Sequence, residues 1–228
     1  MSRAHRIAKP CTQWLDSAYA QEVLSDTPVA YWPYQECHRY PQDRSGNGFH
    51  VTSVTGADTG KQYRQPGALS DLNDRSILQI GGSIFFSPLV STAVNNVTIE
   101  MLLNIDTITL QPQAIFYNGN GGANGYGILI TGAMKMQVLK GGIALGTPST
   151  TSLSLDTWYH VAVTFANPTW TYYLDGAADG TYVSAGAPNT PTGSTQTGDN
   201  SIQRYHEHIA LYETALSAAT IAAHYAAI

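Results

Sequence analysis

A chain of 228 residues with only 12% charged side chains and a net charge of −5 has no basic field with which to gather nucleic acid or an anionic membrane surface. Its aromatic content of 10% is too high for a disordered chain, and 21 glycines signal many turns. Cys11 and Cys37, the entire thiol inventory, exclude a disulfide framework and offer no CxxC zinc spacing. They read as free thiols of a reducing compartment, with a mutual pairing that staples the N-terminal arm as the alternative.

Arg3, His5, Arg6 and Lys9 make the first nine residues a basic arm, either solvated or used for docking. Residues 1–20 lack the apolar stretch of a signal peptide, and no run approaches the eighteen or so apolar residues of a membrane span. The expectation is a protein made and kept in the cytoplasm, or released with a particle. In residues 12–25, Leu15, Tyr19 and Val23 recur at i, i+4 and i+8 and form one helical face. Asp26 and the Thr27-Pro28 step end it, because a residue before proline is pushed out of the α region. The run "PVAYW" then reads as a first strand, and "DRSGNG" as a corner in which Gly46 and Gly48 supply positive φ.

Beyond that corner the period becomes two. Ile99, Met101, Leu103 and Ile105 alternate with Glu100, Leu102, Asn104 and Asp106, and Tyr159, Val161, Val163 and Phe165 fall on one face of "WYHVAVTF". "YGILI", "MKMQVL" and "TWTYYL" behave similarly, the last ending in Asp175-Gly176, a strong hairpin turn. Residues 184–200 are polar and turn-prone and read as a long surface loop. The tail offers Ser217 as an N-cap and Ile221, Tyr225 and Ile228 as one face of a closing helix. Strands at short intervals between Gly- and Asn-rich turns indicate an all-β sandwich or jelly roll.

The stretches "VLSDTPVAYWPYQE", "DRSGNGFH", "PGAL", "TIEMLLNID", "DTWYHVAVTF", "YYLDG" and "HIALYETALSAATIAAHY" occur in an order that resembles laminin-G-like, concanavalin A-like lectin/glucanase jelly rolls of bacterial and phage proteins. The resemblance runs from about residue 19 to the C-terminus. It implies a sandwich of two antiparallel sheets with short helices at both termini, a domain over residues 18–228, and a separate arm and helix start over residues 1–17. It also implies that Tyr31 and Trp32 are buried anchors and that Trp158 joins Tyr159, Val161, Val163 and Phe165 in the core. A calcium ion is expected from the family, bound by Asp43, Asn47 and Glu207. This chain has Glu207-His208 where the family usually has an Asp-Glu pair, and histidine is a poor calcium ligand. His206 and His208, two apart, would share one strand face; no third zinc or copper ligand is visible beside them.

Glycoside hydrolases of this fold need two carboxylates about 5 Å apart, or somewhat further for inversion. Glu22, Glu36, Glu100, Glu207 and Glu213 begin no Glu-x-Asp-x-x-Glu pattern, and no nucleophile elbow, phosphate loop or zincin motif is present. The expected function is therefore non-enzymatic. Sugars stack on aromatic faces and hydrogen-bond to amides, which points to the loop 118–127 and to Thr169–Tyr173, with Tyr126, Trp170 and Tyr205 as candidate carbohydrate contacts. The family setting and the lack of a targeting signal imply a bacteriophage virion protein, a minor tail component, that attaches to host cell-surface glycan. Its partners would be other tail subunits and further copies of itself in a symmetric assembly, with no nucleic acid and no membrane. The alternative is a structural decoration protein whose jelly roll contacts only neighbouring subunits.

Overall fold

The structure, a computed structural model, describes residues 17–36, 40–55, 61–70, 74–80, 85–90, 94–108, 112–141, 144–197 and 202–228. The basic arm, Cys11 and Cys37 lie outside the described residues. Ser17 caps α1 (Ala18–Ser25) by accepting from the Ala20 N–H at 3.1 Å, satisfying a donor that a helix start leaves open. Tyr19, Ala20 and Val23 are its buried face, and Thr27 leaves the right-handed region with φ +52°.

Fifteen strands follow among the described residues. The first five are β1 (Ala30–Trp32), β2 (Ser53–Val54), β3 (Lys61–Pro66), β4 (Arg75–Gln79) and β5 (Phe85–Pro88). Next come β6 (Asn96–Ile108), β7 (Gln113–Gly119), β8 (Tyr126–Ile130), β9 (Met136–Lys140) and β10 (Ala144–Leu145). The last are β11 (Trp158–Ala166), β12 (Thr169–Leu174), β13 (Ala177–Val183), β14 (Ser194–Thr197) and β15 (Ile202–Tyr212). They are closed by α2 (Ala218–Ala226), capped by Ser217. One antiparallel sheet runs β13-β12-β11-β6-β15-β4-β3, with β1 also on β15; the other runs β10-β9-β8-β7-β14-β5-β2. This is the expected two-layer sandwich.

The core lies between the sheets. Ile99, Met101, Leu103 and Ile105 of β6 meet Val161, Val163 and Phe165 of β11 and Ile128 and Ile130 of β8, all sealed from solvent. Each such side chain contributes roughly 1.5–3 kcal/mol on burial, so this layer dominates stability. β1 alternates as a strand should. Ala30 and Trp32 join this core, while Tyr31 faces outward into a second one with Leu102, Ala210, Tyr212 and the apolar face of α1. α2 seats Ile221 on Ala162 and Tyr173 of the same outer face. Both helices therefore cover the eight-stranded sheet, and neither covers the seven-stranded one.

Three expectations change. Trp158 is half-buried on the outer face beside Tyr205, because neighbouring strand residues point to opposite sides and Tyr159 takes the inner one. The polar stretch 184–200 contains β14, a strand whose inward residues are threonines: Thr195 Oγ1 donates to Asn118 Oδ1 at 2.6 Å and Thr197 Oγ1 is 2.8 Å from Tyr34 Oη. His206 and His208 do not share a face. The register between Glu207 and Ala210 takes one residue more than the facing Leu102–Glu100 span of β6, a bulge that gives His208 φ +51°. His206 lies inward against Tyr34 and Phe85, whereas His208 stacks on Tyr31 and meets the edge of Tyr19.

Candidate functional site

The bulge turns Glu207 and His208 to the same side, where Asp74, the residue before β4, meets them. Their ligating atoms lie within 4.8 Å of one another and all three residues are buried. Gln35, after β1, reaches into the group: its Nε2 donates to Asp74 Oδ1 at 2.6 Å and to Glu207 Oε2 at 3.3 Å, and is 3.3 Å from His208 Nε2. The other carboxylate oxygens accept from backbone, Glu207 Oε1 from the Ala68 N–H at 2.6 Å and Asp74 Oδ2 from the Leu69 N–H at 2.8 Å. His208 Nδ1 is hydrogen-bonded to the Tyr31 hydroxyl. Gly67 allows this closeness, since a Cβ there would stand 1.9 Å from Asp74 Oδ2 and 2.6 Å from Glu207 Oε2. Burial first, and then the Asp74 charge, push the Glu207 carboxyl well above the usual carboxylate range.

The three residues expected to bind calcium are not gathered. Asp43 accepts through Oδ1 from the Tyr31 and Ser45 N–H groups and through Oδ2 from the Phe49 N–H and the Ser45 hydroxyl, all at 2.9–3.0 Å. Asn47 donates its amide to Val29 O at 2.9 Å. The corner is thus stapled onto the start of β1 by its own hydrogen bonds, with Gly46 and Gly48 at φ +94° and +82°. Glu207 belongs to the separate buried cluster.

Two of the three expected carbohydrate contacts are core. Tyr126 is sealed between the sheets, its hydroxyl accepting from Asn118 Nδ2 at 3.1 Å, and Trp170 is stacked on Phe165 with ring centroids 4.3 Å apart. Alternation along β8 and β12 points both inward, and their size suits the gap between the sheets. Tyr205 is half-buried beside Trp158 on the helix-covered sheet.

On the seven-stranded sheet, strand register lines up one outward row: Ser53, Phe86, Gln196, Tyr117, Gly127, Leu139 and Leu145. Tyr117 lies over Gly127, its hydroxyl donating to Asn124 O at 2.7 Å. Phe86 and Gln196 are half-buried and Leu145 is 50% exposed. At the rim beside this row the 119–125 turn and the 186–193 loop are zipped together. Gly125 N–H donates to Asn189 O at 3.0 Å, and Asn124 Nδ2 donates to Thr192 Oγ1 at 2.7 Å while its Oδ1 accepts from the Thr192 N–H at 2.8 Å. Asn120, Asn189, Thr190 and Thr192 remain exposed on the joined rim. The sequence pointed to the first loop through its Asn and Gly content; Phe86, Gln196 and Asn189 were missed because only register brings them alongside.

A second buried polar group ties the helices down. Glu100 Oε2 is 3.2 Å from His160 Nε2 and 2.9 Å from His224 Nδ1, Glu100 Oε1 accepts from the Tyr212 hydroxyl at 2.6 Å, and His224 Nε2 is 2.9 Å from Asp26 Oδ2. Burial works against the Glu100 charge, yet hydrogen bonds from His160 and His224 hold its pKa down to about 2. The same burial opposes the His224 charge, but Glu100 and then Asp26 carry its pKa above the usual value. Inward-facing His206 is pushed well below, by burial and then by Arg204.

Among the described residues no helix is long and apolar enough to cross a membrane. Comparison with curated proteins finds no sequence match. Among solved structures, the chain superposes on domain 4 of AbnA, a GH43 extracellular arabinanase from Geobacillus stearothermophilus solved with arabinotriose, at TM-score 0.67 and 14% identity, covering 87% of this chain and 98% of that one. The botulinum neurotoxin serotype D binding domain matches at TM-score 0.63 and 14% identity over 92% of this chain and 52% of that one. Trypanosoma rangeli sialidase matches at TM-score 0.62 and 17% identity over 87% of this chain and 32% of the enzyme. The chain thus spans about a third of the sialidase and half of the neurotoxin domain, and at such identities the likeness is one of fold. Residues 80–222 match the sequence model of a single family. With more than half its length matched and both sheets in place, this chain belongs to the concanavalin A-like lectin/glucanases superfamily.

Proposed function

We propose that this chain is a non-catalytic carbohydrate-binding module that takes glycan on the outward row of its seven-stranded sheet and the adjoining rim loops. The observation that carries this reading is the asymmetry of the two faces. Both helices cover one sheet, while the other offers Phe86 and Gln196 beside a rim of exposed Asn120, Asn189 and Thr192. An aromatic ring next to amides and hydroxyls is what a sugar's C–H face and hydroxyls require. Family membership and the arabinotriose complex of AbnA domain 4 support the same class of ligand.

The Asp74–Glu207 pair, close enough for an acid and its partner, argues against hydrolysis here. Glu207 is 0% and Asp74 7% exposed, and all four of their carboxylate oxygens accept from the Ala68 and Leu69 N–H groups and the Gln35 amide, so a glycosidic bond has no approach. Screening the purified chain on a glycan array tests the reading. Selective binding is expected, weakened about tenfold or more by Phe86→Ala and by Asn189→Ala, with folding unchanged by circular dichroism. An array without signal, or binding indifferent to both substitutions, would sink it.

The finer setting is a minor tail protein of a bacteriophage, present in several symmetric copies and turned toward the host envelope. Its support is the sequence resemblance. Mass spectrometry of purified particles, with cross-linking to find neighbouring subunits, tests it; absence of the chain from any particle would remove this setting and leave the binding module untouched.

A further inference from the structure

Asp74 Oδ1, Glu207 Oε2 and His208 Nε2 are the three atoms that a shared cation would touch, and one atom already lies among them. The Gln35 amide nitrogen is 2.6 Å from the first and 3.3 Å from each of the others, hydrogen-bond distances throughout. Its orientation is fixed from behind. Gln35 Oε1 accepts from the Arg75 N–H at 2.7 Å, so turning the amide over to offer its oxygen to a cation would set two N–H groups against each other. The carboxylates have little more to give, because Glu207 Oε1 and Asp74 Oδ2 are already taken by the Ala68 and Leu69 N–H groups.

The family expectation is a calcium ion held in part by the last strand's carboxylate, and calcium takes six to eight oxygens. Here only two carboxylate oxygens, both already accepting from the Gln35 amide, and one imidazole nitrogen converge, and Asp43 is spent on the corner. We propose that in this chain the Gln35 side-chain amide takes the place of a divalent cation: its two N–H groups bridge Asp74 and Glu207, and the cluster is closed by hydrogen bonds instead of metal coordination. Gln35 then works as a plug, and the domain is built without an ion at this point.

Thermal unfolding of the full chain tests this with Ca2+ and Mn2+ as probes. The unsubstituted protein is expected to melt at one temperature in EDTA, in millimolar CaCl2 and in millimolar MnCl2. Gln35→Asp, which replaces the amide with a third carboxylate, is expected to become cation-dependent, its Tm rising by roughly 5 °C or more at a hundredfold excess of ion over Kd. A variant that folds only when Mn2+ or Ca2+ is added supports the plug equally. A wild-type Tm that rises with either ion, with the rise abolished by Glu207→Gln, would overturn the proposal. So would a folded Gln35→Asp protein indifferent to both ions. Should Gln35→Asp not fold under any condition, Gln35→Glu is judged by the same two outcomes, and Mn2+ retained by the wild-type chain in native mass spectrometry is decisive against the plug by itself. Glycan binding enters none of these readings.

Discussion

His224 sits where two helices and three strands converge, and its charge has a defined cost and benefit. Its folded pKa is raised, so its contribution is complete below the usual 6.5 and disappears as pH rises through the folded value. Glu100 is the mirror case: its contribution is complete above the usual 4.5 and fades as pH falls toward about 2. The stability gap between the wild type and His224→Gln, measured by urea unfolding at several pH values, is therefore expected to be widest between those two limits. Above pH 6.5 it should shrink by at most about 1.4 kcal/mol per pH unit. A gap independent of pH would show that the ring acts by packing alone. His160 and His224 were in plain view as letters. That both grip Glu100 could not be read, since the three lie on β11, α2 and β6.

At the scale of elements, β14 shows how polar composition hides a strand. Its Thr195 hydroxyl accepts from the Val90 N–H at 2.9 Å and donates to Asn118 between the sheets, so hydrogen bonds hold β14 where other strands use methyl groups. Thr195→Val keeps the shape and removes the hydroxyl, leaving those partners buried. The expected loss is about 1–3 kcal/mol of unfolding free energy by urea titration; a neutral result would mean that the hydroxyl is not needed there. The bulge in β15 is the other element-level device. Without its extra residue His208 would alternate inward beside His206, and no cluster with Asp74 would form. Strands such as β6 and β11 were legible because the face between the sheets is uniformly apolar while the other mixes in Glu100, Asn104, His160 and Thr164, which leaves a period of two in the sequence. β14 and the bulge were not, because neither hydroxyl burial nor an added residue leaves such a period.

For the molecule as a whole, protection should follow the layers. β6 lies between β11 and β15 and carries core on both faces, while β13 and β2 are edge strands and β13 is largely exposed. Hydrogen exchange is expected to be slowest in β6, β11 and the 209–212 end of β15, with β13 opening first. Exchange that is uniform across the eight-stranded sheet would contradict this order. Helix placement follows the same logic. Apolar residues on both faces of β6 and β11 require a second cover, and the two terminal helices supply it on one side only.

The sequence by itself determined the two layers, a helix near either end with the Ser217 cap of the second, the hairpin at Asp175-Gly176 and the family, because each is written in local periodicity, turn and capping residues or an ordered set of short motifs. Tertiary structure alone decided which residues meet. It drew Tyr126 and Trp170 into the core, set Phe86 beside Gln196 and Tyr117, and placed the Gln35 amide among Asp74, Glu207 and His208. Those meetings depend on strand register and on one extra residue in β15, and distance through space between residues far apart in the chain leaves no local trace.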